Sequence, residues 1–209
     1  MKKVFLTLAV VASVLTACKG EKKEKVEVKE EVIIEKVADL NNVDVTSSVI
    51  TWKGTKPTGA HNGTIMLSEG SLVLEDGNLE GGEFVVDMSS IKNEDLDAKG
   101  GAKLVGHLTS PDFFDVAKYP MSKFVITSVE EKEDKLHVTG NLTLKDVTKS
   151  ITIPAMLMTE GDVTTFKSET FTIDRADFNV KYGSKKFFDN LKDKFIDDLM
   201  ELSFTVKTK

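Results

Sequence analysis

The stretch Gly82-Glu83-Phe84-Val85-Val86-Asp87-Met88 alternates between two kinds of side chain with a period of two. In an extended chain successive side chains point to opposite faces, so Phe84, Val86 and Met88 share one apolar face while acidic residues lie on the other. This pattern predicts a β-strand with one buried and one solvent-facing side.

The same alternation recurs between residues 41 and 209, where Gly, Asn and Asp interrupt the chain every eight to twelve residues. This spacing is typical of an antiparallel sandwich or barrel. One apolar face per strand favours an all-β fold, a closed barrel of about eight strands whose interior is either filled or holds one small ligand. The predicted strands are 42–53, 59–68, 70–75, 77–88, 122–130, 135–145, 150–159, 162–173 and 199–208.

Two segments break the alternation and predict short helices. Residues 93–108 predict a helix that is interrupted at Gly100-Gly101. Residues 184–191 place Phe187, Phe188 and Leu191 at helical spacing, with Ser184 as a candidate N-cap.

Four motifs resemble the signatures of the YceI family, in the order found in that family. They read GGEFVVDMSSI (81–91), GHLTSPDFFDVAKYP (106–120), VTGNLTLKDVTK (138–149) and DRADFNVKYGS (174–184). The resemblance implies a lipocalin-like barrel with a long apolar pocket for a polyisoprenoid, either a quinone or a polyprenyl phosphate. The chain departs from the family's longer form in its compact opening at residues 52–63 and in Asp146, where the family usually has glycine.

Twelve residues are predicted to line that pocket, although each of them would also suit solid core packing, which is the usual state of protein interiors. They are Trp52, Phe84, Val86, Met88, Phe113, Phe114, Phe124, Ile126, Leu142, Phe171, Phe178 and Phe204. The resemblance further implies that a membrane cytochrome of the b561 type is a partner, as for some members.

Residues 1–17 predict an export signal. A positive start, Lys2-Lys3, precedes an apolar run at residues 4–15, which is shorter than the roughly 20 residues that span a bilayer. The tetrapeptide that ends at Cys18 resembles the lipobox of bacterial lipoproteins, which implies cleavage before Cys18 and lipidation of it. We expect a lipoprotein of the cell envelope, at the outer membrane facing the periplasm or at the cell surface. A plain secretory signal is the alternative.

Residues 18–40 predict a charged linker between the lipidated cysteine and a barrel domain at 41–209. Twelve of the eighteen residues from Lys19 to Lys36 are Lys or Glu, which favours a solvated tether with a helical stretch at 26–36. Removal of residues 1–17 takes away two of the 28 basic residues and leaves 26 against 34 acidic ones, a formal charge of −8. This charge argues against nucleic acid and against general adhesion to anionic lipid.

The chain lacks the patterns of common catalytic and cofactor sites, so we expect neither an enzyme nor a bound cofactor or metal. It has three histidines and one cysteine, and no HExxH, CxxC or GxSxG motif. We expect His107 to hydrogen-bond near Asp112 or Asp115, and Asp115 to pair with Lys118 or Arg175.

Arg175 is expected to pair with Asp174 or Asp177, although it is also a candidate clamp for a phosphate or quinone oxygen. The sequence favours a membrane-anchored carrier of a long apolar ligand. A lipoprotein with a filled barrel that binds other proteins, and a hydrolase or metalloenzyme, are the alternatives.

Overall fold

Eight antiparallel strands close into a barrel in the computed structural model, which describes residues 25–32 and 42–209. The closed ring runs in the order β2-β3-β4-β5-β6-β7-β8-β10, and β10 pairs with β2 to complete it. The strands are β1 (Val28–Lys29), β2 (Val49–Lys56), β3 (Gly59–Glu75), β4 (Asn78–Asn93), β5 (Met121–Lys132), β6 (Lys135–Leu144), β7 (Val147–Glu160), β8 (Val163–Ser168), β9 (Phe171–Asp174) and β10 (Leu199–Lys207).

The predicted all-β antiparallel barrel is therefore confirmed, with two changes in its strands. The predicted break before Gly70 is a register shift between Leu67 and Glu69 inside the continuous strand β3. The single strand predicted at 162–173 is two strands, since β8 pairs with β7 and β10 whereas β9 pairs with β10.

The two predicted helices differ in outcome. Helix α1 (Ala98–Thr109) begins after the N-cap Asp97, whose carboxylate accepts a hydrogen bond from the Gly100 amide at 2.7 Å. The helix runs through Gly100-Gly101, so the predicted interruption is wrong. The segment that begins at Ser184 forms one turn rather than a helix, in which the Ser184 carbonyl accepts from the amide of Phe188.

Part of the predicted linker lies in the barrel wall. Strand β8 covers β7 only from Ala155 onward, and this leaves the first half of β7 with an open edge. Residues 25–29 lie between that edge and β9, because Val28 pairs with Ile151 and the Val26 amide donates to the Thr172 carbonyl. Val26 is buried, and the expected helix at residues 26–36 is wrong for the part that the structure describes.

The two ends of the barrel are built differently. The hairpins β3–β4, β5–β6 and β7–β8 turn at one end, which Val43 fills as it bridges to Thr208. We call this end the closed end. At the other end lie the β2–β3 turn, helix α1 and the segment that precedes β10, and they surround an opening that we call the mouth.

Candidate ligand-binding cavity

The barrel interior holds an apolar cavity that opens at the mouth. Its wide part has a volume of about 270 Å³, and a narrower part of about 90 Å³ lies deeper. The two parts are adjacent, because four residues, Ile50, Val86, Leu142 and Leu202, line both of them. The strand residues that line the wide part are mostly medium-sized aliphatic side chains, with Trp52 the large exception, and they do not meet across the mouth half.

Ten of the twelve predicted residues line this cavity, although their contact with a ligand stays a prediction. The wide part is lined by Trp52, Val86, Met88, Phe113, Phe114 and Leu142. The narrow part is lined by Phe84, Phe124, Phe171 and Phe204, together with Val86 and Leu142.

The other two predicted residues lie outside both parts of the cavity. Ile126 is buried closer to the closed end, where it fills the space above Gly82 on the neighbouring strand. Phe178 ends the short 3-10 helix Arg175–Phe178, is completely buried and packs away from the cavity. Ile126 lies on an inward strand face and Phe178 is apolar, as expected of lining residues, but neither position borders the cavity.

Arg175 connects several of the loop segments that surround the mouth. Its guanidinium is completely buried and donates to the carbonyls of Val180 at 2.7 Å, Ile196 at 3.0 Å and Asp197 at 3.1 Å. It also stacks on the Phe113 ring, 5.2 Å from the centroid. Three separate loop segments therefore meet at one side chain on the cavity wall.

The ion-pair partner of Arg175 is Asp198, and the expected pairing with Asp174 or Asp177 is wrong. Asp198 Oδ1 lies 3.3 Å from Nη2 of Arg175. Burial lowers the pKa of the guanidinium, although Asp198 opposes this shift. Because its three hydrogen bonds go to protein carbonyls and its charge is paired with Asp198, Arg175 is a structural group of the wall rather than a free clamp for an oxyanion.

Asp174 forms its ion pair with Lys186 instead. Burial disfavours its charged form, but the Lys186 ammonium at 2.7 Å and the Ala176 amide outweigh burial and lower its pKa. Asp177 lies 3.7 Å from the same ammonium. Residues 25–29, which lie in the barrel wall, are called the wall segment. Lys25 of this segment also approaches Asp174, at 3.7 Å.

Two histidines face the mouth with different partners. His61 Nδ1 lies 2.8 Å from Asp95 Oδ2, and this hydrogen bond, with a second one from the Asn62 amide, lowers the pKa of Asp95 to about 2. His107 packs edge-on against Tyr182, with ring centroids 4.5 Å apart, and against Phe113. The expected hydrogen bond of the His107 imidazole to a backbone or carboxylate group near Asp112 or Asp115 is thus wrong within the described residues, and two aromatic rings pack against the imidazole instead.

The acidic residues near Phe113 stabilise a turn. Asp115 adopts a left-handed backbone conformation, with φ of 52°, and its carbonyl accepts from the amides of Lys118 and Tyr119. This geometry replaces the ion pair with Lys118 or Arg175 that the sequence predicts. Among residues 25–32 and 42–209, no three His, Cys, Asp or Glu side chains cluster as metal ligands do.

The mouth carries basic side chains above an apolar interior. Lys53 lines the wide part and pairs with Glu201 at 3.5 Å. Lys56 lines it near the β2–β3 turn and has no ion-pair partner among the residues that the structure describes. The arrangement suits an apolar chain held inside with an anionic or hydrogen-bonding head group at the mouth.

Sequence reasoning missed several lining residues. Ile50, Ile65, Leu104 and Met200 line the wide part, together with Arg175. The alternation along β2 and β10 was a usable signal for Ile50 and Met200. No local pattern indicates Arg175, because its place depends on three loops that meet only in the fold.

Cys18 and the predicted signal lie outside the described residues. No helix within residues 25–32 and 42–209 has the length and apolar character needed to cross a bilayer.

Comparison with solved structures supports the fold. BcnA of Burkholderia cenocepacia superposes with a TM-score of 0.66 at 22% identity, over 80% of this chain and 100% of that chain. A polyisoprenoid-binding domain from Saccharophagus degradans gives 0.62 at 15% identity, over 80% and 97%. The Campylobacter jejuni YCEI protein gives 0.51 at 20% identity, over 85% and 91%.

Comparison of sequences identifies the family. Protein YceI of Salmonella arizonae is 52% identical over 56 residues, and this match spans 27% of the present chain and only 29% of that relative. The model of the YceI-like domain matches residues 42–208, which is most of the chain and all of the closed ring. The chain therefore belongs to the family of proteins with a YceI-like domain.

Proposed function

We propose that the barrel binds a long apolar lipid of the polyisoprenoid class, and that the protein carries or stores this lipid at a membrane to which Cys18 anchors it. The observation that carries the proposal is the apolar interior, with a wide cavity at the mouth and a narrow one next to it toward the closed end. The Saccharophagus degradans domain, which has the same fold, is described as polyisoprenoid-binding and lends support.

The cavity volume sets the size of the buried part of the ligand. A cavity of about 150 Å³ accommodates benzene in another protein, so about 270 Å³ with its narrow extension accommodates roughly two to three isoprene units. Longer chains would project through the mouth. Burial of one five-carbon unit contributes roughly 3–4 kcal/mol, and this free energy favours transfer of the prenyl chain from water into the cavity.

The head group lies at the mouth in this proposal. Lys56 and His61 both line the wide part, and Lys56 is available to pair with a phosphate or to donate to a quinone oxygen. Binding rather than catalysis is proposed, because the cavity lining is mostly apolar and the Ser122 hydroxyl within it donates to the Thr143 carbonyl.

The test is native mass spectrometry combined with organic extraction, on residues 19–209 purified from a bacterial host without detergent. This fragment keeps Lys25–Lys29, which form part of the barrel wall. Co-purification of one prenyl lipid per protein supports the proposal. An empty protein that also fails to take up added prenyl lipids would contradict it and favour a barrel that binds other proteins.

Two glycine variants serve as a matched pair. A Cβ atom added at Gly54 or at Gly106 meets no atom within 4 Å, but only Gly54 lines the cavity. We expect Gly54→Phe to lose the lipid and Gly106→Phe to keep it, with both variants folded.

A further inference from the structure

The segment 181–195, which borders the mouth, combines exposed aromatic residues with lysines; we call it the mouth segment. Tyr182, Phe187 and Phe188 are 43%, 45% and 49% exposed. Five lysines and two aspartates lie in the segment, and apart from Lys186, which pairs with Asp174 and Asp177, four lysines remain in a chain of net charge −6. Neither feature is needed for the core, so both point to a surface partner.

The mouth segment is in direct contact with the cavity wall. Tyr182 packs against His107, with centroids 4.5 Å apart, and the Gly183 carbonyl accepts from the Ile196 amide at 2.9 Å. Both His107 and Ile196 line the wide part of the cavity. Whatever covers the mouth segment therefore also lies over the mouth.

The cations sit beside the aromatic rings rather than apart from them. Lys181 Nζ lies 4.9 Å from the centroid of the Phe187 ring, and Lys185 Nζ lies 3.3 Å from that of Phe195. Lys192 and Lys194 are exposed on the same segment. Aromatic rings that enter the interface while neighbouring lysines contact phosphates are typical of peripheral membrane-binding surfaces.

The closed end has the opposite charge. Its three hairpins, residues 74–80, 130–136 and 159–164, contain nine acidic and two basic residues. An anionic bilayer attracts the mouth segment and repels the closed end, so the charge distribution itself orients the barrel with its mouth toward the lipid.

From this geometry we propose that the mouth segment docks on the anionic surface of a lipid bilayer, with Phe187 and Phe188 in the interface, and that the cavity thereby opens onto the membrane. The net negative charge of the whole chain does not prevent this docking. Salt screens surface charges beyond a distance of about 8 Å at physiological ionic strength, so the membrane interacts mainly with the charges nearest to it.

The proposed lipid anchor is compatible with this orientation. Lys25 and Lys186 share the carboxylate of Asp174, so the chain joins the barrel beside the mouth segment. Lys25 lies seven positions after Cys18, and seven steps of extended chain reach at most about 25 Å. An anchor of this reach keeps the mouth segment close to the same membrane. This step rests on the proposed lipidation, whereas the docking surface does not.

The experiment is hydrogen exchange on the full chain, as purified from a bacterial host, with vesicles of phosphatidylcholine alone or with phosphatidylglycerol added. We expect amides of 181–195 to exchange about tenfold more slowly on the anionic vesicles, with no change at residues 130–136. The protection should disappear at 1 M salt, where the Debye length is about 3 Å.

Two double variants in the mouth segment and one control double variant on β7 make the test specific. Phe187→Ser with Phe188→Ser should abolish the protection, and Lys192→Gln with Lys194→Gln should weaken it. Met156→Ser with Met158→Ser, which changes two exposed apolar residues on β7, should leave it intact. Equal exchange on both vesicle types, or protection at 130–136 instead, would overturn the proposal and leave a protein partner for this surface. Lipid extraction from the same samples reports on the cavity separately, so the two proposals can fail independently.

Discussion

At the closed end the Phe166 ring lies 4.8 Å from Phe204 and 6.0 Å from Phe84, whereas at the mouth end the same strands surround a cavity of about 270 Å³. Tight hairpins and phenylalanines fill the first region. Loops that converge on one buried arginine frame the second. The barrel is therefore narrow where the rings of Phe84, Phe166 and Phe204 pack together and wide where mostly aliphatic strand residues and loops surround the mouth.

The largest expected effect concerns Arg175. Replacement by Met leaves three carbonyls without their shared donor and Asp198 without its ion-pair partner, and loss of one partner of a buried ion pair typically costs about 3–5 kcal/mol. Urea unfolding measures this cost, with exposed Lys167→Met as the control. Arg175→Lys should recover only part of it, since an ammonium cannot reach all three carbonyls. A loss below about 1 kcal/mol for Arg175→Met would mean that the mouth does not depend on this side chain.

The next largest effect concerns two glycines, Gly140 in the closed half of the barrel and Gly54 in the mouth half. A Cβ at Gly140 would lie within 2.6 Å of two atoms of the Phe124 ring, while one at Gly54 meets nothing within 4 Å. We expect Gly140→Ala to lower the free energy of unfolding by about 1–3 kcal/mol and Gly54→Ala by less than about 0.5 kcal/mol. Equal effects of the two variants in urea titrations would show that the mouth half is packed as tightly as the closed half.

The smallest effects are pKa shifts of one carboxyl at each end. Asp95 at the mouth and Asp44 at the closed end both have a pKa of about 2 instead of 3.8, the first mainly through His61 and the second mainly through the hydroxyls of Thr46 and Ser47. A lowered pKa means that each stabilising contribution is complete above pH 4 and disappears as the pH falls toward 2.

Carboxyl NMR titration should show that His61→Ala raises the pKa of Asp95 toward 3.8 and leaves Asp44 at about 2. Thr46→Val should do the reverse. If either variant shifts both carboxyls, the two ends are coupled and the local explanation of the shifts is incorrect.

Strand faces could be predicted from the sequence, but depth along the barrel could not. The alternation assigned Phe84, Phe124 and Ile126 to the interior, where the structure has them. It could not tell that Phe124 lines the cavity while Ile126 fills space beside Gly82, because depth depends on the stagger and tilt of neighbouring strands.

The wall segment illustrates a second limit. Val26 and Val28 are two valines in a run dominated by Lys and Glu, and composition alone predicts a solvated tether. Their burial depends on the open edge that β8 leaves on β7, which is a property of the assembled sheet. Arg175 is similar, because its partners belong to segments that are near it only after folding.

Trp52 allows the central claim, that the hollow half holds a polyisoprenoid chain, to be tested directly. It is the only tryptophan, it lines the wide part of the cavity, and its indole donates to the Thr64 carbonyl. The measurement is a titration of its fluorescence in residues 19–209 with a short-chain prenyl quinone, for the unmodified fragment and for Gly54→Phe. The account predicts saturable quenching at one quinone per barrel that Gly54→Phe abolishes. Quenching that never saturates, or that is the same in both proteins, would contradict a binding site inside the barrel.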